Sequence, residues 1–121
     1  MAAPNIVNVT ELYGKSTSGT LTTGSLDLLV NAASSGLVLK VNSIYVANVD
    51  GTNSADATIL YYDAGRAATA ALAKGIPVPA KTTLVILDKN APLYLEEGDK
   101  IQGLASASSD LEYVISWEEI S

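Results

Sequence analysis

The 121-residue sequence contains no Cys, no His and no Phe. Without Cys the chain forms no disulfide, offers no thiol nucleophile and builds no thiolate metal site. Without His it lacks the usual general base at neutral pH and the commonest metal ligand. Basic residues are also scarce, with 7 Lys and Arg against 13 Asp and Glu, giving a net charge of −6. An acidic surface repels phosphate, so nucleic acid and anionic membrane are poor partners. No apolar run approaches the roughly 20 residues that a membrane-spanning helix needs. The opening Met1, Ala2, Ala3, Pro4 and Asn5 lacks the basic-then-apolar pattern of a secretory signal. The expectation is a soluble, acidic chain of one domain.

What is present is apolar and β-prone. Hydrophobic residues make up 48% of the chain, enough to fill a core from Leu, Val, Ile, Ala, six Tyr and one Trp. The densest region is residues 37–63. Its first arm, residues 37–49, places apolar side chains at Leu37, Leu39 and Val41 and then, in the opposite phase, at Ile44 and Val46. Because a strand points alternate residues to opposite faces, the phase change near Asn42 and Ser43 predicts a bulge. A small polar loop follows from Asp50, and the return arm at residues 57–62 is apolar on both faces, as between two covering layers. The two arms read as a strand pair at the middle of a sandwich.

The rest divides into short strands and turns. Residues 1–24 read as an N-terminal arm, with an alternating edge strand at residues 5–10 followed by a stretch rich in Gly, Ser and Thr. The arm is either flexible or ordered by adding a strand to a neighbouring subunit. Residues 25–121 read as the sandwich domain. Strands are expected at 25–30, 82–87, 93–95, 100–107 and 111–117, the last with Leu111, Tyr113, Ile115 and Trp117 on one face. The Ala-rich residues 63–75 favour helix by propensity, but their setting predicts a loop and a short strand near 70–76. Pro77 and Pro79 fit an edge, since proline cannot donate to an inner ladder. Eight or nine short strands with closely spaced turns indicate an all-β fold. The expected architecture is a single-domain antiparallel β-sandwich, jelly-roll-like, with a partly extended N-terminal arm.

Chemistry is sparse. Glu96, Glu97 and Asp99 crowd one turn, and Glu118 and Glu119 are adjacent, so neither group provides two carboxylates facing each other across a substrate. Asp50 to Asp56 offers oxygen ligands without the spacing of a calcium loop and is better explained as a turn. Gly14, Gly19 and Gly24 precede no helix and make a poor phosphate loop. Asn8-Val9-Thr10 matches a glycosylation acceptor, a frequent chance pattern. Tyr13, Tyr45, Tyr61, Tyr62, Tyr94, Tyr113 and Trp117 are candidates for sugar stacking, although core or interface anchoring is the plainer reading. No catalytic residue, no metal site and no cofactor is assigned.

Several segments resemble those of small structural proteins of tailed bacteriophages, particularly of cyanobacteria and other marine bacteria. They are residues 41–51 (Val41, Asn42, Ser43, Ile44, Tyr45 and onward), 72–80, 93–100 and 114–120, together with the opening residues 3–9. Trp117 stands where proteins of this kind often carry Tyr. The resemblance implies a β-sandwich that assembles as a homo-oligomer, a trimer in the first instance. It implies a virion component, most concretely a capsid decoration (cement) protein bound to the major capsid protein on the outer head surface and assembled in the bacterial host cytoplasm. A neck, tail or fibre component and a carbohydrate-binding module are the alternatives, and an enzyme is the least favoured. The expected capsid or subunit contact runs through Asn5, Ile6, Val7, Val9, Leu12 and Tyr13.

Overall fold

A computed structural model describes residues 11–121, and every regular element within them is a β-strand. The strands are β1 (Leu12–Thr20), β2 (Leu26–Val30), β3 (Val38–Asn48), β4 (Ala55–Asp63) and β5 (Ala68–Val78), followed by β6 (Thr83–Leu87), β7 (Leu93–Leu95), β8 (Lys100–Ala105) and β9 (Leu111–Ile120). They form two antiparallel sheets, ordered β1-β9-β3-β6 and β2-β8-β4-β5, and β7 also pairs with β3. β9 occupies one side of β3. On the other side, β6 pairs with residues 44–47 and β7 with residues 39–41, so the two lie end to end in a single strand position. Eight positions in two sheets with this order are the jelly-roll arrangement.

The inner faces supply the core. Val41, Ile44 and Val46 of β3 and Ile115 of β9 are fully buried, and Ile59 of β4 and Ile101 of β8 are buried from the other sheet. Each such side chain stabilises the fold by roughly 1.5–3 kcal/mol relative to exposure. The phase change in β3 is a real irregularity: the β3–β9 register slips between Val41 and Ser43, and this slip lets Val41 and Ile44 both face inward, opposite Trp117 and Ile115.

Three expectations need correction. β3 and β4 are not paired with each other; each is an interior strand of its own sheet, and residues 49–54 carry the chain across. Among the described residues no third layer covers β4, and Leu60 and Tyr62 lie half-buried on an outer face. The Ala-rich segment begins a strand already at Ala68 and extends to Val78, because pairing along β4 outweighs the helix propensity of isolated alanines.

Buried amides close the two ends of the sandwich. At one end Asn31, 1% exposed, donates from Nδ2 to the carbonyls of Leu37 and Leu95, both at 2.9 Å. At the opposite end Asn48, 3% exposed, donates to the carbonyls of Asn53 (2.9 Å) and Val78 (2.8 Å). Both tie loops of different strands together, as buried polar groups must do to be satisfied.

Candidate assembly edge

Residues 12–20, expected as part of an N-terminal arm either flexible or ordered by strand addition, form a nine-residue strand laid along β9 without a register break, from Leu12 opposite Ile120 to Thr20 opposite Glu112. Its intrinsic preference is mixed: Tyr13 and Thr17 suit a strand, whereas Gly14 and Gly19 weaken one. β9 therefore acts as the template, and cross-strand contacts fix the pairing. Ser16 and Ser116 share a hydroxyl hydrogen bond of 2.9 Å, and Lys15 Nζ lies 3.1 Å from Glu119 Oε1. At Gly19 the ring of Tyr113 lies across the backbone. A Cβ added there would come within 2.7 Å of the Tyr113 hydroxyl, so glycine is what permits the aromatic cover.

The phase of the ladder follows from its ends. Glu11 and Ser121 exchange both backbone hydrogen bonds (2.9 and 3.0 Å), and the Leu21 N–H donates to the Leu111 carbonyl at 2.8 Å. Odd-numbered residues of this strand therefore bond to β9. The N–H and C=O groups of Leu12, Gly14, Ser16, Ser18 and Thr20 point away from it and meet no other strand among the described residues.

The other edges are interrupted. β2 is short and slips register between Asp27 and Leu29. β6 and β7 are two pieces separated by residues 88–92, with Pro92 just before β7. β5 carries two register shifts and Gly75 at φ 60°. Asp56 bonds towards Ser106, so its opposite residue Pro77 turns its N-substituted side outward, where no N–H can be offered. Bulges, short lengths and proline are the usual devices that stop sheets from adding strands. β1 has none of them, and its one charge, Lys15, is engaged with Glu119.

Of the expected contact residues, Leu12 and Tyr13 lie at the start of this edge and are 55% and 54% exposed. They are neighbours in β1 and point to opposite faces. Tyr13 donates its hydroxyl to Glu11 Oε2 at 2.7 Å; that hydrogen bond and the carboxylate charge raise the phenol above its ordinary range. Asn5, Ile6, Val7 and Val9, and the strand expected at residues 5–10, lie outside the described residues. Sequence reasoning passed over Gly14, Ser16, Ser18 and Thr20, because both faces of β1 are polar or small and no alternation marks a strand.

The acidic groups serve the fold. Asp99 is 1% exposed, and its carboxylate accepts from the Tyr61 hydroxyl (3.0 Å) and the backbone N–H groups of Ala64 and Glu96 (both 2.9 Å). Expected as part of a solvated turn, it instead joins β8 to β4. Glu97 accepts from the Gly36 N–H at 2.9 Å. Asp50 accepts from the N–H groups of Thr52 and Asn53, which lowers its pKa. Among the described residues no group of three or more acidic side chains is placed to hold a metal ion. Trp117 packs in the core at 9% exposure, so it presents no platform to a sugar.

No family model matches the chain, and no curated protein matches it in sequence. Among solved structures it is similar to a chain of the Bacillus endospore appendages, described as a family of disulfide-linked pili. The identity is 15%, the TM-score is 0.53, and the match covers 99% of this chain and 96% of that one. Infectious bursal disease virus, Gx strain, gives 13% identity and a TM-score of 0.47, over 91% of this chain and 32% of that one. The VP2 subviral particle of the same virus gives 13% and 0.41 over the same shares. This chain thus spans about a third of the viral chains. At these identities the pilus likeness shows a shared two-sheet fold.

Proposed function

We propose that this chain is a structural subunit that assembles with copies of itself, and more specifically a capsid decoration (cement) protein on the outer head of a tailed bacteriophage. The observation that carries the first part is the uninterrupted edge β1 in a fold whose other edges are blunted. A protein that, among the described residues, leaves five outward-facing residues of an edge strand uncovered invites strand addition, and strand addition is what a self-assembling subunit uses. The second part rests on the resemblance of residues 3–9, 41–51, 72–80, 93–100 and 114–120 to phage structural proteins. The resemblance makes the major capsid protein the second partner and a trimer the expected oligomer.

The pilus of similar fold is described as disulfide-linked. This chain has no Cys, so its assembly is held by backbone pairing and side-chain burial alone. In this reading it is not an enzyme, since its buried carboxylate, Asp99, is occupied in joining loops. Binding to assembled shells would stabilise them by linkage. Immunogold labelling of purified virions, with copy number from quantitative mass spectrometry, tests the proposal. Gold over the head at hundreds of copies is expected. Gold confined to the neck or tail at a few copies would replace decoration by a connector or fibre role, and absence from the virion would overturn the phage reading.

A further inference from the structure

We infer that the partner of β1 is β1 of a second copy, running antiparallel about a two-fold axis at Ser16. This deepens the reading that the chain assembles through this edge and rests on it, and it replaces the trimer implied by the resemblance with a two-fold dimer. The outward-facing residues decide the register. With the axis at Ser16, Leu12 pairs with Thr20 of the second copy, Gly14 with Ser18, and Ser16 with itself, so all five residues whose backbone groups point outward enter the ladder. Moving the axis to Lys15 sets two like charges directly opposite each other and leaves Thr20 without a partner among the described residues. Moving it to Thr17 leaves Leu12 unpaired. Only the Ser16 register uses the whole edge without a charge conflict.

Side chains on the inner-facing side support the same register. The closely spaced pairs become Lys15 with Thr17 of the second copy, and Tyr13 with Gly19 of the second copy. Gly19 has no side chain, and Tyr113 already leans across it. Tyr13 of the second copy arrives opposite Gly19 on this face and meets the Tyr113 ring, an aromatic pair that covers a phenol now 54% exposed. The two-fold axis repeats the contact. On the other face Leu12, 55% exposed, meets only the small Thr20. The joined sheet runs β6-β3-β9-β1 and then the same strands in reverse order.

The absence of Cys allows a clean test. Ser16→Cys places two thiols opposite each other across the axis, with Cα atoms roughly 5.5 Å apart. Gly14→Cys or Ser18→Cys places identical thiols roughly 14 Å apart along the strands. Each variant of the full chain would be treated with a short thiol-to-thiol cross-linker, and the unmodified chain and Ser16→Pro would be weighed by light scattering. The expected result is a mass twice the 12.5 kDa of one chain, cross-linking by Ser16→Cys well above the two neighbours, and a monomer for Ser16→Pro. A trimer or larger species that Ser16→Pro leaves intact would overturn the two-fold pairing while self-assembly stands. A monomer at every concentration would overturn both. Should Ser16→Pro unfold, the cross-linking order among the three Cys variants still decides.

Discussion

β1 and β5 hold equivalent places, each the outer strand of its own sheet, yet they are built in opposite ways. β5 is rich in apolar and alanine residues, carries two register shifts, a left-handed glycine and a proline whose blocked nitrogen faces outward. β1 is polar, glycine-containing and unbroken. From composition β5 looks like the sticky edge and β1 like a linker. The backbone reverses that ranking, because what an edge offers a partner is a regular row of N–H and C=O groups rather than apolar side chains. An open edge made of Ser, Thr and Gly also limits adventitious hydrophobic adhesion while leaving pairing to the main chain.

Proline insertion should break this comparison most severely. Thr17→Pro removes an N–H that bonds to β9 and should cost roughly 2–3 kcal/mol in urea unfolding. Ser16→Pro, one residue away, removes only an outward N–H and, measured at concentrations low enough to keep the chain monomeric, should cost well under half as much. Equal losses at the two positions under those conditions would show that the phase assigned to β1 is wrong. Next in size are the glycines. Gly19→Val drives a side chain into Tyr113 and should cost about 1–3 kcal/mol. Gly14→Val meets nothing within 4 Å and should be neutral or gain up to about 1 kcal/mol from strand propensity. On the other edge Gly75→Ala has space but sits at φ 60°, and should cost about 1 kcal/mol in backbone strain. The same unfolding series measures all three.

These differences explain what could be read from residues alone. The bulge at Asn42 and Ser43, the inward face of β9 and the edge character of Pro77 were legible because burial or a missing donor leaves a pattern in side-chain type. The separation of β3 and β4 into different sheets was not, since a polar loop suits a hairpin and a crossover alike. Asp99 reads as one more acid in a hydrophilic turn until the fold brings the Tyr61 hydroxyl and two N–H groups to it. The candidate edge was half legible: Leu12 and Tyr13 stand out as large residues in a polar stretch, but the residues that make the edge continuous have no apolar alternation to reveal them. Their conformation is set by β9, about 100 residues away in sequence, as the Ser16–Ser116 bond illustrates.

The smallest effect is confined to alkaline solution and separates the same two regions by their tyrosines. Tyr61, beside β5, has its pKa raised first by burial and then by its hydrogen bond to Asp99 and that carboxylate's charge. Tyr13, in β1, is raised by Glu11 but lies open to solvent. A phenol whose folded pKa exceeds its unfolded value of about 10 holds its proton longer in the folded state. Its contribution is therefore fully present below about pH 10 and is lost as pH rises towards the folded value. Urea midpoints should accordingly fall above pH 10 in the unmodified chain. In the dilute, monomeric chain Tyr61→Phe should flatten that fall, starting from a lower plateau because Asp99 loses a donor, whereas Tyr13→Phe should leave it in place. At concentrations where a second copy covers β1 and its phenol, a further part of the fall should follow Tyr13, and Ser16→Pro should remove that part; a Tyr13 contribution that is the same at every concentration would separate it from pairing.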